Sequence, residues 1–251
     1  MKNSLEKKPS SLIKPGNIYK LGNHLLACGD SRAEKLVQEL LSEQKFNLIL
    51  TDPPYGVDYK ASNHKKIAND QIQNEEVYQE FSESWLKLIK PYLKDKNSYY
   101  IFNSDRMVFS LREALISQGF KLSQLLIWVK TGAVIGRLDY CPQHELIAYG
   151  WQGKHEIPLY KDKSVLIAPK PLKNTLHPTM KPIPLLRRLI LNSTKIGELV
   201  YDPFLGSGST LLACEQTKRI CIGVEIDPVY CQVIIDRFEK MTGQKASLLI
   251  P

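Results

Sequence analysis

The chain reads as an α/β protein with a doubly wound, mostly parallel sheet, and three observations carry that reading. Almost wholly apolar runs of seven or eight residues recur along it, segments with a helical apolar rhythm lie between them, and one run ends in a glycine-rich turn that opens a helix. Strands buried on both faces and alternating with helices are what a parallel sheet covered on both sides requires.

Taken in order, the start MKNSLEKKPSSLIKPG is polar and lacks the apolar stretch of a secretory leader. It is expected to be a loose tail over residues 1–15, ahead of a single domain over 16–251. The first strand is FNLILTD (46–52), and it ends at once in Asp52, Pro53, Pro54 and Tyr55. The irregular stretch VDYKASNHKKIANDQ follows. A helix is predicted over 75–90, where Val77, Phe81, Trp85 and Leu88 recur at spacings of three and four. SYYIFNS (98–104) is the next strand, and Met107, Val108, Leu111 and Leu115 mark a helix over 105–118. QLLIWVK (124–130) and HELIAYG (144–150) are further strands. From Trp151 to Leu176 the rhythm breaks: five lysines, two acids and three prolines make an extended basic insert over 151–176. Helices at 183–194, 208–218 and 228–241 alternate with strands GELVYDP (197–203) and ICIGVEID (220–227).

The formal charge of +8, from 34 basic and 26 acidic residues, suits a polyanionic partner without demanding one. No apolar run reaches the length of a membrane span. The five cysteines form no CxxC pair and no zinc-ligand spacing, so no metal site is expected, and they read as reduced core residues of a cytoplasmic protein.

ELVYDPFLGSGSTLLACEQTKRICIGVEID is a strand, a glycine turn, a helix and a second strand. Gly206 and Gly208 let the backbone turn tightly against a ligand, and Glu225 at the second strand's end can accept hydrogen bonds from ribose hydroxyls. GSGST has no lysine before its serine or threonine, which argues against ATP, and Leu211 stands where a dinucleotide fingerprint wants a small residue. Asp202 before the turn would repel a pyrophosphate and welcome an ammonium. S-adenosylmethionine has an ammonium, a ribose and no phosphate; the alternative is an ordinary glycine turn at a helix start.

At the other strand end, two prolines remove backbone donors, so acceptors dominate: the Asp52 carboxylate and the Pro53 carbonyl. Two fixed acceptors suit an NH2 group. An exocyclic amine on a base is a poor nucleophile, because its lone pair is delocalised into the ring. Accepting both its hydrogens localises that pair and aims it, and Tyr55 can stack on an extruded base.

With these residues in view, the chain resembles the DNA amino-methyltransferases of the β arrangement, in which the catalytic motif precedes the cofactor motif. TDPPY matches the catalytic motif, DPFLGSGST the glycine motif, and GVEID the ribose-binding strand end. LHPTMKPIPLLRRLI and GNHLLACGDS are similar to cofactor-side elements of the group, and LLIWVKTGAVIGRLDYCPQHELIAYGW to the segment lining the base pocket. The likeness runs from about Gly16 to Lys245. It implies a Rossmann-like methyltransferase fold with a seven-stranded, mostly parallel sheet and circularly permuted motifs. It implies S-adenosylmethionine as cofactor, double-stranded DNA as partner and a flipped target base. Asp52, Pro53, Pro54 and Tyr55 take the catalytic roles by this likeness. Asp202, Phe204, Gly206, Gly208 and Glu225 take cofactor roles, with Asp30 and Thr179 beside them. Aspartate at the head of the catalytic motif is typical of adenine-N6 enzymes but occurs in cytosine-N4 enzymes too.

The insert is short where larger relatives carry a recognition subdomain. Lys154, Lys161, Lys163, Lys170 and Lys173 are candidate phosphate contacts, which fix register without reading sequence; Asn174 is a candidate base-edge reader, and Tyr59 and Lys60 flank the loop after the corner. Each has a bland alternative as part of a solvated loop. Cys141 in CPQ is expected to be a structural thiol, His177 a structural histidine, and Trp128 core in preference to base pocket, with Trp151 a pocket candidate. A site-specific adenine-N6 enzyme follows, able to act as a homodimer and beside a separate restriction endonuclease. Cytosine-N4 transfer, RNA methylation and a silent nucleic-acid binder are the rivals.

Overall fold

The computed structural model describes residues 13–54, 74–133, 139–155, 161–169 and 180–251. Seven strands form the body of one sheet, in the order β2 (His24–Cys28), β10 (Ile220–Glu225), β9 (Leu199–Asp202), β3 (Phe46–Thr51), β4 (Leu93–Asn103), β6 (His144–Gln152) and β5 (Phe120–Val129). The first five are parallel, and β6 runs antiparallel to both its neighbours. The seven-stranded expectation undercounts the sheet. β1 (Ile18–Leu21) and β11 (Ser247–Ile250) extend one edge, and β8 (Val165–Ile167) extends the other, making ten strands in one order. β7 (Lys154–His155) pairs with the start of β4. These additions have three or four residues, or two for β7, too few for alternation to declare itself in sequence.

The central strands are apolar on both faces because both faces are covered. Tyr100 and Phe102 of β4 join the core cluster packed by α4 (Ile183–Ser193), α5 (Ser209–Thr217) and α6 (Pro228–Thr242). Tyr99 and Ile101 join the opposite cluster, packed by α1 (Glu34–Leu41), α2 (Glu75–Ile89) and α3 (Val108–Ser117). The sheet is thus the middle of three layers, and the period-two direction of its side chains decides which helices each residue meets. Local chemistry sets the helix ends. Asn74 caps α2 by accepting from Glu76 N at 2.7 Å, and Asp227 caps α6 by accepting from Val229 N at 2.8 Å with Pro228 behind it.

Ile13 is 6% exposed and joins the core, and residues 1–12 of the expected tail lie outside the described residues. Four cysteines are buried as expected, whereas Cys141 is exposed, so it is no core thiol. No helix of the described residues is long and apolar enough to cross a membrane.

Candidate active site

β3 and β9 lie side by side and parallel, with Leu48 beside Val200 and Ile49 beside Tyr201. From β3 the chain winds through α2 to β4 on one side; from β9 it winds through α5 to β10 on the other. The strand order reverses between them, and that point in a doubly wound sheet opens a crevice beyond the strands' carboxyl ends. Asp52, Pro53 and Pro54 therefore lie at the same end of the sheet as the glycine turn, although about 150 residues separate them in sequence. Thr51 Oγ1 ties them directly, donating to Asp202 Oδ1 at 2.6 Å.

Asp202 is first of all the brace of the turn. Phe204 N also donates to Oδ1, at 3.0 Å, and the Thr210 hydroxyl is a third donor. Gly206 N donates to Glu225 Oε2 at 2.7 Å and Asp227 N to Oε1 at 2.8 Å. Each Glu225 oxygen keeps a second lone pair for a ligand hydroxyl. Gly208 sits at φ +80°, where a Cβ would be strained and would meet Ile234 Cγ1 at 2.9 Å. Burial pushes Asp202 up to about 6 against its three donors, and pushes Glu225 up to about 7 against its two backbone donors. Two carboxylates desolvated in this way would gain from a cationic ligand. Ser209 Oγ, at the start of α5, is buried without a hydrogen-bond partner among the described residues. Such an orphan fits a site completed by a polar ligand. Phe204 packs against Phe81 and Trp85 with ring centroids 5.6 and 5.7 Å away, and Arg32, forked onto Asp30, lies over Phe81 at 5.2 Å.

At the corner, Pro53 is buried and Asp52 is partly exposed. Asp52 Oδ2 accepts from Lys181 Nζ at 2.5 Å, while the buried Oδ1 finds no partner among the described residues. Lys181 also lies 3.0 Å from Glu145 Oε2, and Glu145 Oε1 is 2.9 Å from Lys130. Burial pushes Asp52 up to about 6; Lys181 opposes that shift and Glu145 adds to it. For Glu145, burial is outweighed by Lys181 and Lys130, and its carboxyl sits below the usual range. Lys181, Glu145, Lys130, Thr51 and Thr210 were not singled out in sequence. The lysine lies within LHPTMKP and Glu145 within HELIAYG, but nothing local shows that they meet.

The remaining site expectations divide. Tyr55, Tyr59, Lys60, Lys170, Lys173, Asn174, His177 and Thr179 lie outside the described residues. Trp128 is core, 1% exposed, with Nε1 donating to Ala168 O at 2.9 Å. Trp151 is not at the crevice. It is the next-to-last residue of β6, which runs opposite to β4, so it lies at the far end of the sheet, stacked on His155. Lys154 of β7 is there too, paired with Lys96 of β4 and 3.4 Å from Asp95. Lys161 and Lys163 are exposed and flank Asp162, which Arg188 and Asn192 pin to α4. The expected insert over 151–176 begins inside β6 and contributes β8 to the sheet edge.

A model of the N6/N4 DNA methylase family matches residues 46–236, from the first strand of the crevice into α6. The chain is 27% identical to the Type II methyltransferase M2.DpnII of Streptococcus pneumoniae, over 89% of this chain and 97% of that one. It is similar in structure to the M1.HpyAVI–SAM complex, with a TM-score of 0.64 and 25% identity over 84% of this chain and 98% of that one. The fold is shared with the PvuII DNA methyltransferase, cytosine-N4-specific, at a TM-score of 0.67 and 19% identity over 89% and 92% of the two chains.

Proposed function

We propose, from the premise that this chain belongs to the N6/N4 DNA methylase family, that it is a site-specific enzyme methylating adenine N6 in double-stranded DNA. S-adenosylmethionine is its cofactor, and when bound it supplies an electrophilic methyl group on a sulfonium. The observation that carries the reading is the buried Asp52 Oδ1, without a partner among the described residues, next in sequence to Pro53 and one residue from the Thr51–Asp202 bridge to the glycine turn.

The chain's own residues then have distinct tasks. Asp202, Ser209 and Glu225, with the turn at Gly206 and Gly208, hold the cofactor's polar groups; Phe204, Asp30 and Thr179 complete that side. Asp52 Oδ1 and the Pro53 carbonyl accept the two amine hydrogens, which localises the nitrogen lone pair and points it along the crevice. Pro54 stiffens the corner, and Tyr55 stacks on the base once it has left the duplex. Methyl transfer leaves the nitrogen with one proton too many. Asp52, pushed up to about 6, can take that proton and release it to water near neutrality.

The same acceptors would serve cytosine N4, so the base is decided by the pocket beyond Asp52. Aspartate at the head of the motif favours adenine. Duplex contacts are assigned to Tyr59, Lys60, Lys170, Lys173 and Asn174, with Lys161 and Lys163 on the flank. The protein is taken to be one methyltransferase domain acting in the cytoplasm, able to work as a homodimer and beside a separate endonuclease.

The experiment is methyl transfer from labelled S-adenosylmethionine to mixed-sequence duplex DNA, followed by digestion and mass spectrometry. N6-methyladenine from the wild type, and none from Asp52→Ala, is expected. N4-methylcytosine alone would replace adenine as the target. Preference for RNA, or full activity of Asp52→Ala, would overturn the reading.

A further inference from the structure

Lys181 stands at the centre of the proposed chemistry, yet its contacts are with protein groups. Its side chain is 7% exposed, and its ammonium lies 2.5 Å from Asp52 Oδ2 and 3.0 Å from Glu145 Oε2. The Phe102 ring is 5.1 Å away and the Trp128 ring 6.0 Å. Lys130 closes on the far side of Glu145 at 2.9 Å, with its own side chain 8% exposed. Four charges thus alternate in sign across the end of β3, the segment before α4, the start of β6 and the end of β5. A desolvated ammonium is costly unless carboxylates and ring faces surround it, and here they do.

We propose that Lys181 is a positioning residue that occupies one oxygen of Asp52, so that the other faces the substrate amine as an ionised acceptor. Glu145, paired with Lys130, lies on the other side of Lys181 and opposes it by pushing Asp52 toward protonation. The inference rests on the reading of Asp52 as the amine acceptor. A neutral Asp52 would carry a proton on the oxygen that must accept one, and would repel the amine hydrogens. Among the described residues, the titratable groups facing Asp52 are Lys181 before α4, Glu145 of β6, Asp202 of β9 and Tyr78 of α2. Burial holds the Tyr78 hydroxyl neutral, and both Glu145 and Asp202 push Asp52 toward protonation. Lys181 is the one cation of this set, so the ionised state depends on it.

The test is the titration of Asp52 itself, followed by carbon NMR of protein labelled at the aspartate carboxyl and assigned with Asp52→Asn. In Lys181→Gln the midpoint is expected to rise by about 1–3 in pH. Lys181→Arg should restore it. Glu145→Gln should lower it, because a like charge is gone. In parallel, kcat of Lys181→Gln at pH 7 should fall about tenfold and recover toward pH 9, with KM for S-adenosylmethionine little changed. A midpoint that stays put in folded Lys181→Gln, or one that rises in Glu145→Gln, overturns the proposal. If Lys181→Gln does not fold, the Lys181→Arg and Glu145→Gln midpoints still decide. A wild type that methylates no DNA would remove the functional reading, while the NMR midpoints would still judge the role of Lys181.

Discussion

Replacing Thr51 with valine removes the side-chain hydrogen bond that joins the end of β3 to Asp202 of β9, with little change of shape. Both partners are buried, at 2% exposure each, and the bond is 2.6 Å long. A hydrogen bond to an ionised partner contributes about 1.5–3 kcal/mol, and one to a neutral partner about 0.5–1.5 kcal/mol. Asp202 changes between these states near pH 6. The loss should therefore be about 2 kcal/mol at pH 8 and about 1 kcal/mol at pH 5. The sign follows from linkage. Burial holds the folded pKa of Asp202 above the unfolded value, so this group favours the folded state most at low pH, and that advantage fades as pH rises through about 6. Thr51 limits the fading by donating to the charged form. Without it the folded pKa climbs further, and stability falls more steeply toward alkaline pH. Urea unfolding of wild type and Thr51→Val at pH 5 and pH 8 measures both losses. Equal losses at the two pH values would refute the claim that Thr51 serves the ionised carboxylate, and no loss at all would refute the bond.

Three further outcomes are expected. Calorimetric affinity for S-adenosylmethionine should weaken about tenfold between pH 8 and pH 5.5, as Glu225 near 7 and Asp202 near 6 take up protons and cease to attract a cation; a flat profile would count against those roles. Gly208→Ala combines a left-handed backbone with a contact of 2.9 Å to Ile234, and should cost about 2–4 kcal/mol in urea unfolding and weaken cofactor binding. Lys154→Ala, at the far end of the sheet in an exposed pair with Asp95, should leave duplex affinity by fluorescence anisotropy within about twofold, since it lies away from the strand ends that carry the proposed site.

Much of the fold was legible because hydrophobic periodicity is local. Phe46–Thr51 and Ile220–Glu225 announce buried strands by being apolar throughout, and Trp85 falls on the buried face that the spacing of α2 predicts, while Val77 is left exposed. What stayed hidden was short or distributed. The β1–β2 hairpin turns at Gly22 with φ +59° between strands of four and five residues, and α1 has only eight residues, so neither has enough periods to stand out. The positions of Trp151 and Lys154 stayed hidden because composition records that a segment is basic and aromatic, but not toward which end of an antiparallel strand it runs.

Residue order alone determined the alternation of strand and helix, the two prolines that leave acceptors at Asp52 and Pro53, and the glycines that let the turn at 206–208 close. Those are consequences of backbone chemistry within a few residues. Tertiary structure decided that β3 lies against β9, so that Thr51 reaches Asp202, and that Lys181 and Glu145 converge on Asp52. The reason is that sheet order places strand ends together without regard to their distance along the chain. A buried charge then takes its ionisation state from whichever groups that order has gathered around it.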